Sequence, residues 1–261
     1  MNAEAIRNLL VKKDLLSELI YFEKLDSTNT YSKINNLPDN TLVITSHQTN
    51  GKGRFGKDWI SIQDKNLTFT LTKCFRINID DIHLVNFYSS YILFQTIKNF
   101  ISGSLLKDPD LILKWPNDIL LNRKKIAGIL LDVKDLTSPV KKFIIGFGIN
   151  INQEKFPPDI EHKATSLFNE TKTKINKENL LTEFINMFYD NTSFLIARND
   201  LMNLWTYNSK MTGMNIEYKQ LDDDQPKRAT VMNISNDGGL VVKLSDGRET
   251  KFYSGEISII Y

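Results

Sequence analysis

The chain of 261 residues contains one cysteine, Cys74, and three scattered histidines. A single cysteine excludes an intrachain disulfide and a cysteine metal cluster. The histidines, His47, His83 and His162, follow no spacing that metal sites use, so we predict that all three are polar surface residues.

Long apolar runs are also missing. No window reaches about eighteen consecutive apolar residues, so we expect no transmembrane helix. The first twenty residues are charged and amphipathic, and they lack the continuous apolar segment and small-residue cleavage site of a secretory signal. We therefore expect a cytoplasmic protein with no membrane partner.

The chain has almost no excess of charge of either sign. It carries 33 basic and 31 acidic residues, a formal net charge of +2. This balance does not indicate a surface for DNA or for a membrane, so any anion site must be local. The length suits one large domain, or a large domain with a small one.

Periodicity in the first 150 residues predicts a mixed sheet, largely antiparallel, with flanking helices. Residues 41–48 and 66–75 read as strands, and residues 81–101 have helical spacing. The segment 111–122 reads as strand, bend, strand around a Pro-Asn-Asp cluster. Two further strands follow in "KKIAGILLDVK" (124–134) and "KKFIIGFGININ" (141–152).

From residue 152 onward the sequence predicts a loop, a helical stretch and a series of short strands. Residues 152–172 are a long polar loop, a kind of loop that is often functional, and 176–206 return to helical spacing. From Thr212 onward, short strands at roughly ten-residue spacing predict a small β-barrel or sandwich. We therefore predict an α/β (α+β) fold with domains at 1–211 and 212–261.

The stretch "TNGKGRFGKDW" (49–59) combines glycines with basic residues. The spacing from Gly51 to Lys57 fits a P-loop except for its last letter, which is Asp58 where a hydroxyl should hold the metal. A P-loop also needs a following helix, and "WISIQDKNLTFTL" is no helix start. The P-loop interpretation therefore fails. A mobile basic loop that closes on a nucleotide, with amides made accessible by glycine, fits better.

The stretch "KWPND" (114–118) favours a tight turn, because Pro and Asn-Asp are turn residues. A turn alone does not explain the Lys and Trp beside it, or the segment "RKKIAGILLD" that follows. Lys125 lies seven residues beyond Asp118, far enough for the chain to fold back as a hairpin. Such a hairpin would bring a cation, an amide and a carboxylate together, and Gly128 would allow a close backbone approach.

Five motifs in one order then carry a resemblance: "LDSTN" (25–29), "GKGRFGKDW" (51–59), "KWPNDILLNRKKIAGIL" (114–130), "GFGININ" (146–152) and "GEIS" (255–258). Together they resemble the biotin protein ligases from about Tyr21 to Ser258. The resemblance implies a mixed α/β sheet with a C-terminal SH3-like β-barrel. It also implies an enzyme that makes biotinyl-5′-AMP and pyrophosphate from biotin and ATP. The enzyme then transfers biotin to a lysine of a biotin carboxyl carrier domain of a biotin-dependent carboxylase.

The resemblance also implies roles for individual residues. Catalysis would fall to Arg54, Lys125 and Asp118, with Asp118 as a Mg²⁺ ligand, a group that orients Lys125, or the proton acceptor for the carrier lysine. Biotin would be bound by Ser27, Thr28, Asn29, Gln48, Gly51, Lys52, Arg54, Lys125, Gly128 and Gly146. ATP would be bound by Arg54, Phe55, Lys57, Trp59, Lys114, Asn117 and Asn150.

The chain departs from the family pattern in three places. Lys52 and Lys57 stand where the glycine loop often has arginine, which keeps charge but loses bidentate phosphate geometry. No arginine follows "GEIS", where some relatives carry one near the nucleotide. About twenty residues precede the family core, too few for the DNA-binding module of some relatives, so we expect a ligase without repressor function. Relatives occur as monomers and as dimers, so a homodimer is possible.

Two alternatives stay open at this point. A lipoate or octanoate protein ligase of related fold would also modify a carrier lysine. A non-catalytic biotin-binding regulator would keep the pocket without the chemistry, although Arg54, Lys125 and Asp118 argue against it.

Overall fold

The structure is a computed structural model of the chain, and it describes residues 3–10, 13–103, 108–219 and 225–260. In this part of the chain, nine strands precede residue 150. They are β1 (Glu18–Leu25), β2 (Thr41–Gln48), β3 (Gly51–Lys52), β4 (Asp58–Trp59), β5 (Leu67–Arg76), β6 (Leu111–Lys114), β7 (Asp118–Leu121), β8 (Lys124–Lys134) and β9 (Val140–Ile149).

Seven of these strands form the main sheet, in the order β1-β2-β5-β9-β8-β7-β6. Strand β1 runs parallel to β2, and the other neighbouring pairs are antiparallel. The predicted mixed, largely antiparallel sheet is confirmed. Strand β1 was not predicted from the sequence. It lies at the edge of the sheet and is only partly buried, so its letters "ELIYFEKL" have no regular alternation of apolar and polar residues.

The two faces of the sheet differ because side chains alternate along each strand. On one face, Phe69 of β5 stacks on Phe147 of β9 with ring centroids 4.7 Å apart, and Phe184 meets Phe147 at 4.8 Å. On the other face, the same two strands present Thr70 and Gly146, which are register partners. One face thus holds the apolar core, and the other offers hydroxyl groups and open backbone.

Six helices are described: α1 (Ala3–Leu9), α2 (Thr28–Ile34), α3 (His83–Ser102), α4 (Leu167–Thr171), α5 (Lys177–Asp190) and α6 (Arg198–Ser209). The long α3 packs against α5 and α6 over the apolar face, and α2 packs on β2, β5 and β9. The helix predicted at 81–101 is α3. The helical spacing over 176–206 is divided between α5 and α6 by a 3-10 turn, Thr192–Leu195. None of the described helices combines the length and apolar character needed to cross a membrane.

Five antiparallel strands form the C-terminal sheet, in the order β13-β12-β11-β10-β14. They are β10 (Asn215–Lys219), β11 (Lys227–Ile234), β12 (Leu240–Leu244), β13 (Glu249–Phe252) and β14 (Glu256–Ile259). The predicted small β-structure is confirmed as a sheet, and its closure into an SH3-like barrel stays a prediction. The predicted boundary at 211 falls between α6 and β10, and the division into two domains also stays a prediction.

The turn between β11 and β12 joins the C-terminal sheet to the rest of the molecule. The Trp115 indole Nε1–H donates to the Gly238 carbonyl at 2.9 Å in the buried interior. A Cβ at Gly238 would lie 2.7 Å from Phe87 and 2.8 Å from His83, so glycine is required by contact as well as by its positive φ of 78°. His83, predicted as a surface residue, is half-buried against this turn, and burial lowers the pKa of its imidazole.

We predict that Gly238→Ala destabilises the protein more than Gly247→Ala. Both glycines have positive φ, which costs alanine roughly 1–2 kcal/mol. A Cβ at Gly247 meets nothing within 4 Å, whereas at Gly238 it overlaps Phe87 and His83. Urea denaturation should therefore show an extra loss of about 1–3 kcal/mol in the unfolding free energy of Gly238→Ala. Equal losses in the two variants would contradict this packing.

Candidate active site

A cavity of about 520 Å³ opens on the hydroxyl-bearing face of the main sheet. It is bounded by the start of α2, the glycine-rich segment 52–60, the turn 114–118 and strand β14. All the predicted site residues line it except one: Ser27, Thr28, Asn29, Gln48, Lys52, Arg54, Phe55, Lys57, Trp59, Lys114, Asn117, Asp118, Lys125, Gly128, Gly146 and Asn150. The exception is Gly51, which does not line the cavity.

One end of the cavity is neutral and rich in hydrogen-bonding groups. Gln48 Oε1 accepts from the Thr28 backbone N–H at 3.0 Å and from Thr28 Oγ1 at 3.3 Å. Thr70 Oγ1 donates to Thr28 Oγ1 at 2.9 Å. Ser27 caps α2 by accepting from the Thr30 N–H. Gly51 packs against Gln48 at this end. A Cβ at position 51 would lie 2.3 Å from Gln48 Nε2, so glycine makes room for the Gln48 amide.

Two glycines of β9 form part of the floor of the cavity, and their lack of a side chain lets other residues lie directly on the backbone. A Cβ at Gly148 would lie 2.3 Å from the Trp59 ring, so the indole lies directly on the backbone there. The Trp59 Nε1–H is buried and has no hydrogen-bond partner in the described part of the chain. Asn29 lies across Gly146 in the same way, with its Cγ 3.4 Å from the place of a Cβ.

The other end of the cavity concentrates charge. Lys125 Nζ lies 2.6 Å from Asp118 Oδ1, and Lys114 Nζ lies 3.9 Å from Asp118 Oδ2. Asp118 is the register partner of Gly128 in the β7–β8 hairpin. A Cβ at Gly128 would lie 3.0 Å from Lys125 Nζ, so glycine makes room for the ion pair. The predicted hairpin that joins cation and carboxylate is therefore present.

The pKa values at this end follow from burial and from the neighbouring charges. Burial alone would raise the pKa of Asp118, but Lys125, Lys114 and Arg54 hold that pKa below its ordinary value. Burial lowers the pKa of Lys114, which Asp118 only partly offsets. Burial also lowers the pKa of Arg54, against the effects of Asp118 and Glu256. Three cations thus share one close carboxylate, and a bound anion would be stabilised there.

Asn117 ties the turn 114–118 to the sheet. Its Nδ2 donates to the Ile129 carbonyl at 2.6 Å, and its own carbonyl accepts from the Ile129 N–H at 3.0 Å. The remaining side-chain oxygen accepts from Arg54 at 3.4 Å. Asn117 therefore orients Arg54 toward the charged end, in addition to its predicted contact with ATP.

The glycine-rich segment forms a short hairpin of β3 and β4 rather than a P-loop. The Gly53 N–H donates to the Lys57 carbonyl at 2.6 Å. Lys52 pairs with Asp58 at 2.7 Å, and Lys57 pairs with Glu256 of β14 at 2.6 Å. These two lysines have partners within the protein. Arg54 instead lies over the Phe55 ring, at 4.9 Å from its centroid, and faces the cavity.

Two further parts of the wall were not assigned as site residues from the sequence. One is the loop that carries Phe156, Ile160, Lys163 and Ala164; the Lys125 N–H donates to the Lys163 carbonyl at 2.8 Å. Its unusual length was the available signal. The other is β14, which supplies residues 256–259, and its signal was the motif "GEIS". Asn150 holds the loop, because its Nδ2 donates to the Thr165 carbonyl at 3.1 Å.

A magnesium ion at this end of the cavity would have Asp118 as its predicted protein ligand. Among the described residues, no three His, Cys, Asp or Glu side chains group closely enough to hold a metal ion. Asp118, the predicted Mg²⁺ ligand, has the ammonium groups of Lys125 and Lys114 beside it. A role for Asp118 as a magnesium ligand therefore stays a prediction.

Comparison with known proteins decides the family. Residues 21–150 match the model of the Biotin/lipoate A/B protein ligase family. The chain belongs to this family. The matched segment contains α2, the glycine-rich hairpin, the turn 114–118 and β9, which carry nearly all of the cavity residues. The resemblance predicted from the five motifs is confirmed.

Individual relatives of the family extend the match. "Bifunctional ligase/repressor BirA" of Bacillus subtilis is 28% identical over 248 residues, which are 92% of this chain and 74% of that protein. "Biotin--[acetyl-CoA-carboxylase] ligase" of Mycobacterium tuberculosis is 26% identical over 131 residues, 49% of this chain and 45% of that protein. The solved structure of the biotin protein ligase from Aquifex aeolicus in complex with biotin and ATP aligns with a TM-score of 0.77 at 22% identity, covering 94% of this chain and 99% of that one. This last likeness shows the fold.

We predict that Asp118→Asn lowers stability in a pH-dependent way. At neutral pH the variant should lose about 1–3 kcal/mol, because Lys125 and Lys114 lose their counter-ion. The pKa of Asp118 in the folded protein lies below its ordinary value, so the stabilisation by this carboxylate is present above about pH 4 and disappears as the pH falls through the folded pKa.

Urea denaturation from about pH 7 to pH 2 measures this effect. The gap between the wild type and Asp118→Asn should stay constant down to about pH 5 and then shrink. Asp159→Asn, on an exposed loop residue, is the matched control and should leave stability nearly unchanged. A gap that persists at the acid end would refute the ion pair as its cause.

Proposed function

We propose that the protein is an ATP-dependent biotin–protein ligase. In the first step a biotin carboxylate oxygen attacks the α-phosphorus of ATP; the P–O bond to the β-phosphate breaks, and biotinyl-5′-AMP and pyrophosphate form. In the second step a lysine amine of a carrier protein attacks the acyl carbon. A C–N bond forms, AMP leaves, and the amine gives up its proton.

The observation that carries this proposal is the division of one cavity into a neutral end and a cationic end. Thr28 and Gln48 offer hydrogen bonds to an uncharged ring, while Arg54, Lys114 and Lys125 converge at the other end. The first step brings a carboxylate toward a polyphosphate, and both are anions. A preorganised group of cations screens their repulsion and stabilises the charge that develops on the transferred phosphoryl group.

Within this site, Lys125 acts as the cation nearest the attacking carboxylate, and Asp118 holds it in place. The lowered pKa of Asp118 makes the carboxylate a weak proton acceptor. Because its pKa is low, we favour a role for Asp118 as the counter-ion that orients Lys125. We favour this role over that of a base that takes the proton of the carrier lysine. Magnesium enters with ATP as part of the substrate, since Mg²⁺ commonly takes its ligands from phosphate oxygens and water.

The substrate classes follow from the family and from the relatives' names. The name of the Mycobacterium tuberculosis relative specifies biotin and acetyl-CoA carboxylase. We take the carrier partner here to be the biotin carboxyl carrier domain of such a carboxylase. The lipoate and octanoate alternative is not favoured, because the polar groups around Thr28 and Gln48 suit a ring that forms hydrogen bonds.

The proposal is tested by incubating the protein with biotin, Mg-ATP and a carrier domain, and measuring the mass of the carrier. We expect the gain of one biotinyl group, and no gain when lipoate replaces biotin. A carrier that gains lipoyl but not biotinyl would sink the biotin assignment. A protein that binds biotin without pyrophosphate release would be a regulator.

We predict that Lys125→Ala slows the first step by about 10²–10³-fold, because it removes a preorganised cation from the reacting groups. Biotin-dependent exchange of pyrophosphate into ATP measures this step alone. Lys124→Ala is the matched control: Lys124 is the neighbouring residue, and its Nζ donates to the Glu161 carbonyl. Near-normal exchange in Lys125→Ala would refute the role of Lys125.

A further inference from the structure

At the neutral end of the cavity, Asn29 contacts Asp132, a residue that does not line the cavity. Asn29, in the first turn of α2, is 8% exposed and crosses the open backbone of Gly146. Its Nδ2 donates to Asp132 Oδ2 on β8 at 3.0 Å. The other Asp132 oxygen accepts from Lys33 Nζ at 2.9 Å. Asp132 thus anchors the far side of the Asn29 amide.

This contact determines which way the Asn29 amide points. A carboxylate accepts hydrogen bonds and donates none, whereas an asparagine amide has a donating and an accepting end. The NH₂ group must therefore face Asp132, since the reverse orientation would place oxygen against oxygen. The carbonyl oxygen, Oδ1, is turned away from Asp132 as a consequence.

The oriented oxygen has no protein donor. Asn29 Oδ1 is buried and accepts no hydrogen bond from any residue that the structure describes. A buried acceptor without a donor is unfavourable, and a ligand that brings an N–H to it removes that cost. Gln48 supplies the opposite group nearby. Its Oε1 is occupied by Thr28, which leaves the Nε2 hydrogens as donors.

We propose that Asp132 is a positioning residue that makes Asn29 an acceptor for a ring N–H of the biotin ureido group. The inference rests on the proposed function and assigns the basis of its ligand selectivity. A cyclic urea has N–H donors beside a carbonyl acceptor, which match Asn29 Oδ1 and Gln48 Nε2. A dithiolane ring, as in lipoate, offers neither group.

The test compares the binding of biotin with that of biotin methylated at either ureido nitrogen, by calorimetry. The wild type should prefer biotin at least tenfold over one of the methylated forms. In Asp132→Asn the amide loses its fixed orientation. The dissociation constant for biotin should then rise about tenfold, and the preference over the methylated form should shrink by a similar factor.

Two further variants separate orientation from general stability. Lys33→Met removes the ion pair but keeps the Asn29–Asp132 hydrogen bond, and should retain the wild-type preference. Asn29→Leu removes the acceptor and should abolish the preference, which keeps the test decisive if Asp132→Asn does not fold. If Asp132→Asn or Asn29→Leu keeps the wild-type preference for biotin over the methylated form, this inference is overturned. The proposed function is still supported in that case, provided that the wild type binds biotin. A wild type that does not bind biotin overturns both.

Discussion

The ion pair between Asp118 and Lys125 is the contact around which the site is built. It needs a hairpin to bring the two residues together, a glycine at 128 to make room, and a second backbone tie through Asn117 and Ile129. The pair leaves positive charge in excess, because Arg54 and Lys114 share the same carboxylate. Burial lowers the pKa values of Arg54 and Lys114, and the carboxylate of Asp118 offsets that effect only in part. A polyphosphate or an acyl phosphate would complete the charge balance that the folded protein leaves open.

The alternation of β5 and β9 explains why the site lies where it does. Their phenylalanines pack beneath α5, so the intervening positions must face the other way. Those positions are threonines and glycines, which keep hydroxyl groups and backbone free of bulk. The glycines are then covered by Asn29 and Trp59, which reach in from α2 and from the glycine-rich hairpin. A single strand pattern therefore supplies both the stability of the sheet and the floor of the cavity.

Elements that depend on a short, continuous stretch of sequence were predicted correctly. Strand β2 has the predicted bounds, 41–48, because its β-branched run is short and bounded by turn residues. The hairpin that joins Asp118 and Lys125 was predicted from their separation of seven residues, and its turn lies between β7 and β8. Strand β1 and the break between α5 and α6 depend on tertiary packing, so periodicity missed them. The pairing of Asn29 with Asp132 joins residues 103 positions apart, and no spacing in the sequence signals it.

The residues of the site came mainly from the motif resemblance, and the cavity collects nearly all of them. The motifs did not indicate which charged side chains form ion pairs within the protein. Lys52 and Lys57 read as ligand-binding cations, yet each pairs with an acidic residue of the protein. Such pairs depend on which carboxylate the fold brings near, which composition does not encode.

The contact of Trp115 with Gly238 has a consequence for any attempt to divide the molecule. The buried apolar side chains of both sheets form one continuous cluster, and the turn before β12 closes over Trp115, beside Lys114. A chain cut between α6 and β10 would yield two fragments with complementary bare surfaces. Such a cut would therefore expose apolar side chains that the intact chain buries, and it would remove the turn that packs on Trp115 beside Lys114.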